Sequence, residues 1–111
     1  MVISNPDTGM VLSSVPIGAG VDGVAFDSGY AFSSNGQDGN ITMVGESSPG
    51  KFEAMGTIET QRSARTIGVD TKTHKLYLPA AEFGPPAESK DGKQGRPSIV
   101  PGTFQILVLS K

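Results

Sequence analysis

The sequence contains no cysteine and no tryptophan, and it has a single histidine among its 111 residues. Without cysteine the chain has no disulfide, no thiolate metal site and no thiol nucleophile. Its cysteine content therefore does not indicate whether the protein works in an oxidising or a reducing compartment. One histidine leaves few general bases and few ligands of the common kind for a metal. The residue types present therefore predict no metal site, no cofactor and no catalytic residue.

Charge and long apolar runs are also scarce. Charged residues make up 18% of the chain and the formal net charge is -2, so nucleic acid is not an expected partner. The longest apolar stretches, such as residues 104–109, fall far short of the ~20 residues that cross a bilayer, and no membrane insertion is expected. The first fifteen residues lack Lys and Arg and are interrupted by turn residues, so they do not resemble a secretory signal.

Glycine and proline are abundant, with 15 and 8 residues respectively. They interrupt every window in which a 3.6-residue apolar period would indicate a helix. Short apolar runs with a two-residue period lie between turn signals instead, and they predict an all-β chain with one domain over residues 1–111. The nine predicted strands are residues 2–4, 10–15, 21–26, 30–34, 40–45, 52–58, 64–69, 75–79 and 103–110.

The sequence repeats itself with a shift of 43 residues, which superposes residues 15–27 on residues 58–70. Each copy has an apolar strand end, a polar connection, and an apolar strand that ends at Asp27 or Asp70. A period of ~40–45 residues that holds four strands is the unit of a β-propeller blade. The chain therefore has room for about two and a half four-stranded blades.

A family resemblance rests on the segment Gly23-Val24-Ala25-Phe26-Asp27, its echo at residues 66–70, the following residues 75–78, and the hairpin at residues 7–11. At these residues the chain resembles the YVTN-type β-propeller repeat of bacterial surface-layer-like and lactonase-like propellers. The naming tetrapeptide is absent, and residues 77–80 take its place. The resemblance covers most of the chain except residues 83–102. It implies the fold, and a periplasmic or extracellular location for a full-length protein, but such propellers include enzymes, scaffolds and binders.

In a propeller the innermost strand of each blade comes first. The predicted strands then supply strands three and four of one blade, a complete second blade, and strands one to three of a third. We expect either that the chain is the C-terminal part of a larger propeller or that it is a short chain whose copies assemble head to tail. In the second case residues 10–15 of one copy complete the last blade of another and residues 2–4 are displaced.

The best candidate site lies where the chain enters successive inner strands. Asp22 and Arg65 occupy equivalent places in the repeat, and together with Arg62 and Asn35 they are predicted to hold a polar or anionic ligand in the channel. The alternative is that Asp22 and Arg65 form a salt bridge between blades or stay solvated. His74 is expected on the opposite edge as an exposed turn residue, far from any nucleophile.

Two further segments have residue patterns that bear on function. Residues 35–40 carry oxygen-bearing side chains at alternate positions but lack the Glu and the length of a calcium loop, so a tight hairpin is predicted. Residues 83–102 form a long loop between strands two and three of the last blade, with a disordered tip favoured over an ordered lid. Phe83, Ile99 and Val100 are expected to hold its ends.

Two functions fit these features. The first is a non-enzymatic binding or scaffold module of a bacterial β-propeller, and the second is a fragment of a propeller enzyme such as a lactonase-like hydrolase. An enzyme of that kind gathers several His, Asp, Glu or Asn side chains at the inner-strand entries, whereas Asp22 and Arg65 are the residues found there. The sequence therefore favours the binding module.

Overall fold

A computed structural model describes residues 1–84 and 99–110 of the chain. These residues form nine β-strands and no helix, so the all-β prediction is confirmed, and none of them forms a helix long and apolar enough to cross a membrane. The strands are β1 (Val2–Ser4), β2 (Val11–Ser14), β3 (Val21–Asp27), β4 (Tyr30–Asn35), β5 (Asn40–Ser48), β6 (Lys51–Glu59), β7 (Gly68–Asp70), β8 (Lys75–Ala80) and β9 (Gln105–Leu109).

The strands form three antiparallel sheets in chain order. The N-terminal sheet holds β1 and β2, the central sheet holds β3 to β6, and the C-terminal sheet holds β7 to β9. Every pairing joins strands that are consecutive in the chain. The division into two, four and three strands is the one that the repeat predicts.

The seventh strand differs most from its predicted bounds. It was expected at residues 64–69 and lies at Gly68–Asp70, paired with the first residues of β8. The register places Gly68 opposite Tyr77, so the next pair of the same parity would set Thr66 against Pro79. Proline has no N–H to donate to a ladder, and the backbone before β7 turns away at Ser63, which has a φ of 80°.

The main core lies between the central and C-terminal sheets. Ile41 of β5 packs with Leu76, Leu78 and Ala80 of β8, and all four are buried. The alternation along β8 is regular, because these three residues face the central sheet while Tyr77 is exposed on the other face. The two sheets therefore stack face to face.

The N-terminal sheet covers only the outer part of the central sheet. The Phe52 N–H of β6 donates to Ser13 Oγ of β2 at 3.1 Å, which sets these two strands side by side. Val15, directly after β2, is buried, and its N–H donates to the Met1 carbonyl at 2.7 Å. Among the described residues, the inner strand β3 has no such cover on this side, and its Val24 and Phe26 side chains are exposed.

The repeat is visible in the backbone of the connections. Gly20 before β3 has a φ of 73°, and Ser63, which stands 43 residues later before β7, has a φ of 80°. The Gly20 carbonyl accepts from the Gly36 N–H at 2.9 Å, and Ser63 Oγ donates to the Ala81 carbonyl at 2.5 Å. Both connections therefore have a residue of left-handed backbone at the same point of the repeat. Each is hydrogen-bonded there to the residue that follows the next hairpin, Gly36 after β4 or Ala81 after β8.

The two ends of the long loop meet. Phe83 and Ile99 form an isolated antiparallel bridge, and the Val100 N–H donates to the Glu82 carbonyl at 2.8 Å. The tip that is predicted to be disordered lies outside the described residues.

Candidate functional site

A cleft opens at the edge of the molecule where the β2–β3, β4–β5 and β6–β7 connections come together, which we call the loop edge. Its volume is about 1110 Å³. Backbone bonds hold the three connections in contact: the Gly36 N–H donates to the Gly20 carbonyl at 2.9 Å, the Ser63 N–H donates to the Gly36 carbonyl at 2.9 Å, and the Thr60 N–H donates to the Gly39 carbonyl at 2.8 Å. The polar side chains of the lining are Asp22, Gln37, Gln61, Arg62, Ser63, Arg65 and Glu82.

Asp22 and Arg65 meet across two successive sheets. Asp22 Oδ2 lies 3.9 Å from Arg65 Nε, and the side chains are 40% and 64% exposed. Both rest on Gly36, where an added Cβ would stand 3.1 Å from Arg65 Cγ and 3.2 Å from Asp22 Oδ2. An exposed pair at this distance contributes little to stability, so a bound anion competes with it at small cost.

Hydrogen bonds attach Arg65 and Arg62 to strand β4 and to the turn that follows it. Ser34 Oγ of β4 donates to the Arg65 carbonyl, and Arg62 Nε donates to the Gln37 carbonyl at 3.1 Å. The first bond joins the central sheet to the segment before β7, and the second holds the Arg62 guanidinium against the β4–β5 turn. Arg65 therefore extends from an anchored backbone, and the guanidinium of Arg62 is itself held at the cleft.

Asn35 does not line the cleft with these residues. It is fully buried, and its Nδ2 donates to Asn40 Oδ1 at 2.9 Å and to Thr42 Oγ1 at 3.0 Å. Thr42 Oγ1 also accepts from the Gly18 N–H at 3.2 Å. Asn35 thus ties the β2–β3 connection to the central sheet beneath the cleft, which is a positioning role.

The segment that resembles a calcium loop is the β4–β5 turn. Asn35 and Asn40 are paired across it, the Gly39 N–H donates to the Asn35 carbonyl at 2.9 Å, and Gly39 has a φ of 71°. The described residues hold no group of three or more His, Asp or Glu side chains that could share a metal ion.

Four polar residues of the cleft were not singled out from the sequence: Gln37, Gln61, Ser63 and Glu82. The Gln61 side chain accepts a hydrogen bond from Gln105 Nε2 of β9. The repeat holds a signal for two of them, because β4 begins at Tyr30 and β8 at Lys75, which places Gln37 and Glu82 seven residues after equivalent starts. Aligning the connection after β4 with the connection after β8 therefore identifies Gln37 and Glu82 as equivalent residues.

His74 lies at the opposite edge, as expected, in the turn before β8 with a φ of 59°. It also links two sheets, which the sequence did not indicate: His74 Nδ1 lies 2.6 Å from Asp27 Oδ2 and 3.3 Å from Ser28 Oγ. A hydrolytic triad needs the carboxylate and the serine on different ring nitrogens. Because both groups contact Nδ1, Nε2 does not face Ser28 as the general base of a triad would, and these three residues lack the triad arrangement.

No protein-family model, curated protein or solved structure matches the chain. The interpretation of the cleft therefore rests on its own residues and geometry.

Proposed function

We propose that this chain is a non-enzymatic binding or scaffold module built from blades of a β-propeller, and that its cleft at the loop edge binds a small polar or anionic ligand. The observation that carries the proposal is the meeting of Asp22, Arg62 and Arg65 in one cleft, although Asp22 lies in β3 and the two arginines lie about 40 residues later, in the β6–β7 connection. Repeated connections bring equivalent positions to one channel in such a fold, which is where propellers bind ligands.

The chemistry of the cleft favours an anionic group. Arg65 presents a planar fork of donors that matches a carboxylate or a phosphate, and Arg62 is a second cation in the lining of the same cleft. In the free protein Asp22 Oδ2 lies 3.9 Å from Arg65 Nε. A ligand anion takes over this contact, while Gln37 and Gln61 offer amide groups to its polar remainder.

Titration with inorganic phosphate and with succinate, followed by amide and arginine side-chain NMR, tests this function. We expect shifts of the Arg65 Nε and Gly36 N–H signals on binding in the millimolar range. Arg65→Gln is expected to weaken binding at least tenfold. Lys72→Gln, which removes one exposed cation from the β7–β8 turn at the opposite edge, is the matched control and should leave affinity unchanged.

Two results would count against the proposal. One is the absence of shifts around Gly36 with both anions. The other is an equal loss of affinity in the Arg65→Gln and Lys72→Gln variants, which would indicate general charge attraction rather than a site.

A further inference from the structure

Strand β3 exposes two large apolar side chains on one face. Val24 and Phe26 are 64% and 66% exposed. The other face of β3 meets the C-terminal sheet, because Gly23 lies against Ile67 and Asp27 contacts His74. Since side chains alternate along a strand, Val24 and Phe26 point to the side on which the N-terminal sheet lies.

The repeat shows what such positions pack against. Ile67 and Val69, which stand 43 residues after Val24 and Phe26, pack against the core between the central and C-terminal sheets. They find partners there because the central sheet has its inner strands β3 and β4. The N-terminal sheet has only two strands, placed against β6, so Val24 and Phe26 lack the cover that their equivalents have.

The C-terminal sheet exposes a second apolar surface on its outer face. Ile106 and Val108 of β9 are 51% and 52% exposed, and they pair with Pro79 and Tyr77 of β8. This is the face opposite Leu76 and Leu78. In the repeat Tyr77 stands where Phe32 stands in the central sheet, and Phe32 packs on the C-terminal sheet.

We propose that these two surfaces are the halves of one interface between copies of this chain. The outer face of the C-terminal sheet of one copy packs on Val24 and Phe26 of a second copy, head to tail. The proposal rests on the blade organisation proposed above. The occupant is a second copy because the contact continues a packing that the chain already makes once, between its central and C-terminal sheets.

The same docking completes the C-terminal sheet. It brings β9 of the first copy, the last strand of its sheet, alongside β2 of the second copy. There β9 takes the position that β1 holds beside β2 in the free chain. β2 then fills a cavity of about 430 Å³ that is lined by Met43, Ile58 and Leu109. The Leu12 side chain would enter this cavity. It is exposed and lies on the face of β2 opposite Ser13, which contacts β6.

The interface is heterologous, since different surfaces of the two copies meet, and this gives a sharp test. Phe26→Asp damages one half and Ile106→Asp damages the other. Each variant alone is expected to sediment as a monomer at concentrations where the unchanged chain is associated. An equimolar mixture is expected to form dimers, because each pair of different variants retains one intact interface.

Ile99→Asp is the matched control, since Ile99 is 55% exposed and lies on neither surface. It should associate like the unchanged chain. Circular dichroism verifies that each variant keeps its strand signal, and Phe26→Ser with Ile106→Ser repeats the mixing if an aspartate variant loses it.

The proposal is overturned if the unchanged chain is monomeric at tens of micromolar, if single variants associate like the control, or if the mixture stays monomeric. Phosphate binding by a monomeric variant separates this proposal from the proposed function, because all residues of the cleft belong to one chain.

Discussion

At the scale of single residues, a few turn positions decide how the strands are connected. Asp70 ends β7, and its Oδ1 accepts the Lys72 N–H at 2.9 Å and the Thr73 N–H at 3.4 Å. These backbone hydrogen bonds, that of Lys72 first, lower the pKa of Asp70. The ionised carboxylate therefore favours the β7–β8 turn in which His74 reaches Asp27.

The lowered pKa predicts a pH dependence of stability. A carboxyl with a lower pKa in the folded state stabilises the fold above its unfolded pKa of about 3.9, and the effect disappears as the pH falls through the folded pKa. Asp70→Asn keeps an acceptor oxygen but does not titrate. We expect this variant to be less stable than the unchanged chain in urea at pH 7, with a smaller difference at pH 3. An equal difference at both pH values would contradict the role of the charge.

Gly20 allows the connection before β3 to turn and to approach its neighbour. It has a φ of 73°, and an added Cβ would stand 2.5 Å from Gln37 Cβ. Gly50, with a φ of 76°, has open space around it and is the matched control.

Gly50→Ala is expected to cost about 1 kcal/mol for the left-handed backbone alone. Gly20→Ala adds a steric clash, and we expect a total cost of about 2–4 kcal/mol. Urea unfolding of the two variants measures the difference. Equal costs would mean that the close approach of Gly20 to Gln37 does not matter for the fold.

At the scale of elements, the sequence predicts all nine strands and their division among three sheets. The two-residue period and the glycine-rich turns carry this information locally, so most bounds agree within one to three residues. The seventh strand was predicted too early because its partner has Pro79 at the position where the ladder would continue, and pairing is not local information.

Only part of the candidate site was predictable, because the repeat is present in the sequence whereas contacts between sheets are not. Asp22 and Arg65 stand at equivalent points of the repeat, and the stacking of sheets brings them together. Asn35 was expected to contact a ligand because it lies next to a connection, but its side chain faces inward to Asn40 and Thr42. The contact of His74 with Asp27 joins two distant hairpins, and only the packing of the sheets creates it.

Strand β8 gives a direct test of which face is buried. Leu78 is fully buried and Tyr77 is exposed. Leu78→Ala is expected to lower the free energy of unfolding by about 2–5 kcal/mol. Tyr77→Ala should cost less than half of this when both are measured in the monomeric Ile106→Asp background. A larger cost at Tyr77 would reverse the faces assigned to the C-terminal sheet.

At the scale of the whole molecule, the three sheets stand in a row rather than in a compact cluster. The radius of gyration is 16.7 Å, against about 13 Å for a compact domain of this length. The molecule measures 54, 33 and 21 Å along its principal axes, which also reflects the row of sheets. The head-to-tail interface would cover one end of this row, the outer face of the C-terminal sheet, and the part of the central sheet around Val24 and Phe26 that the N-terminal sheet leaves exposed.

A ring must close for a heterologous contact to avoid growing into a filament. In the proposed assembly each copy would contribute two complete blades, because β2 of a neighbour would join its C-terminal sheet. Three or four copies then give six or eight blades, both within the range of known propellers. Leu12→Pro removes a backbone donor from β2 and is expected to shift the assembly toward monomers.

The mass of the unchanged chain in solution tests the central claim most directly, which is that these sheets are blades whose missing strands come from other copies. Native mass spectrometry at tens of micromolar is expected to give one discrete species of three or four times the 11.5 kDa chain mass. A folded monomer, or an open series of steadily increasing masses, would contradict the account.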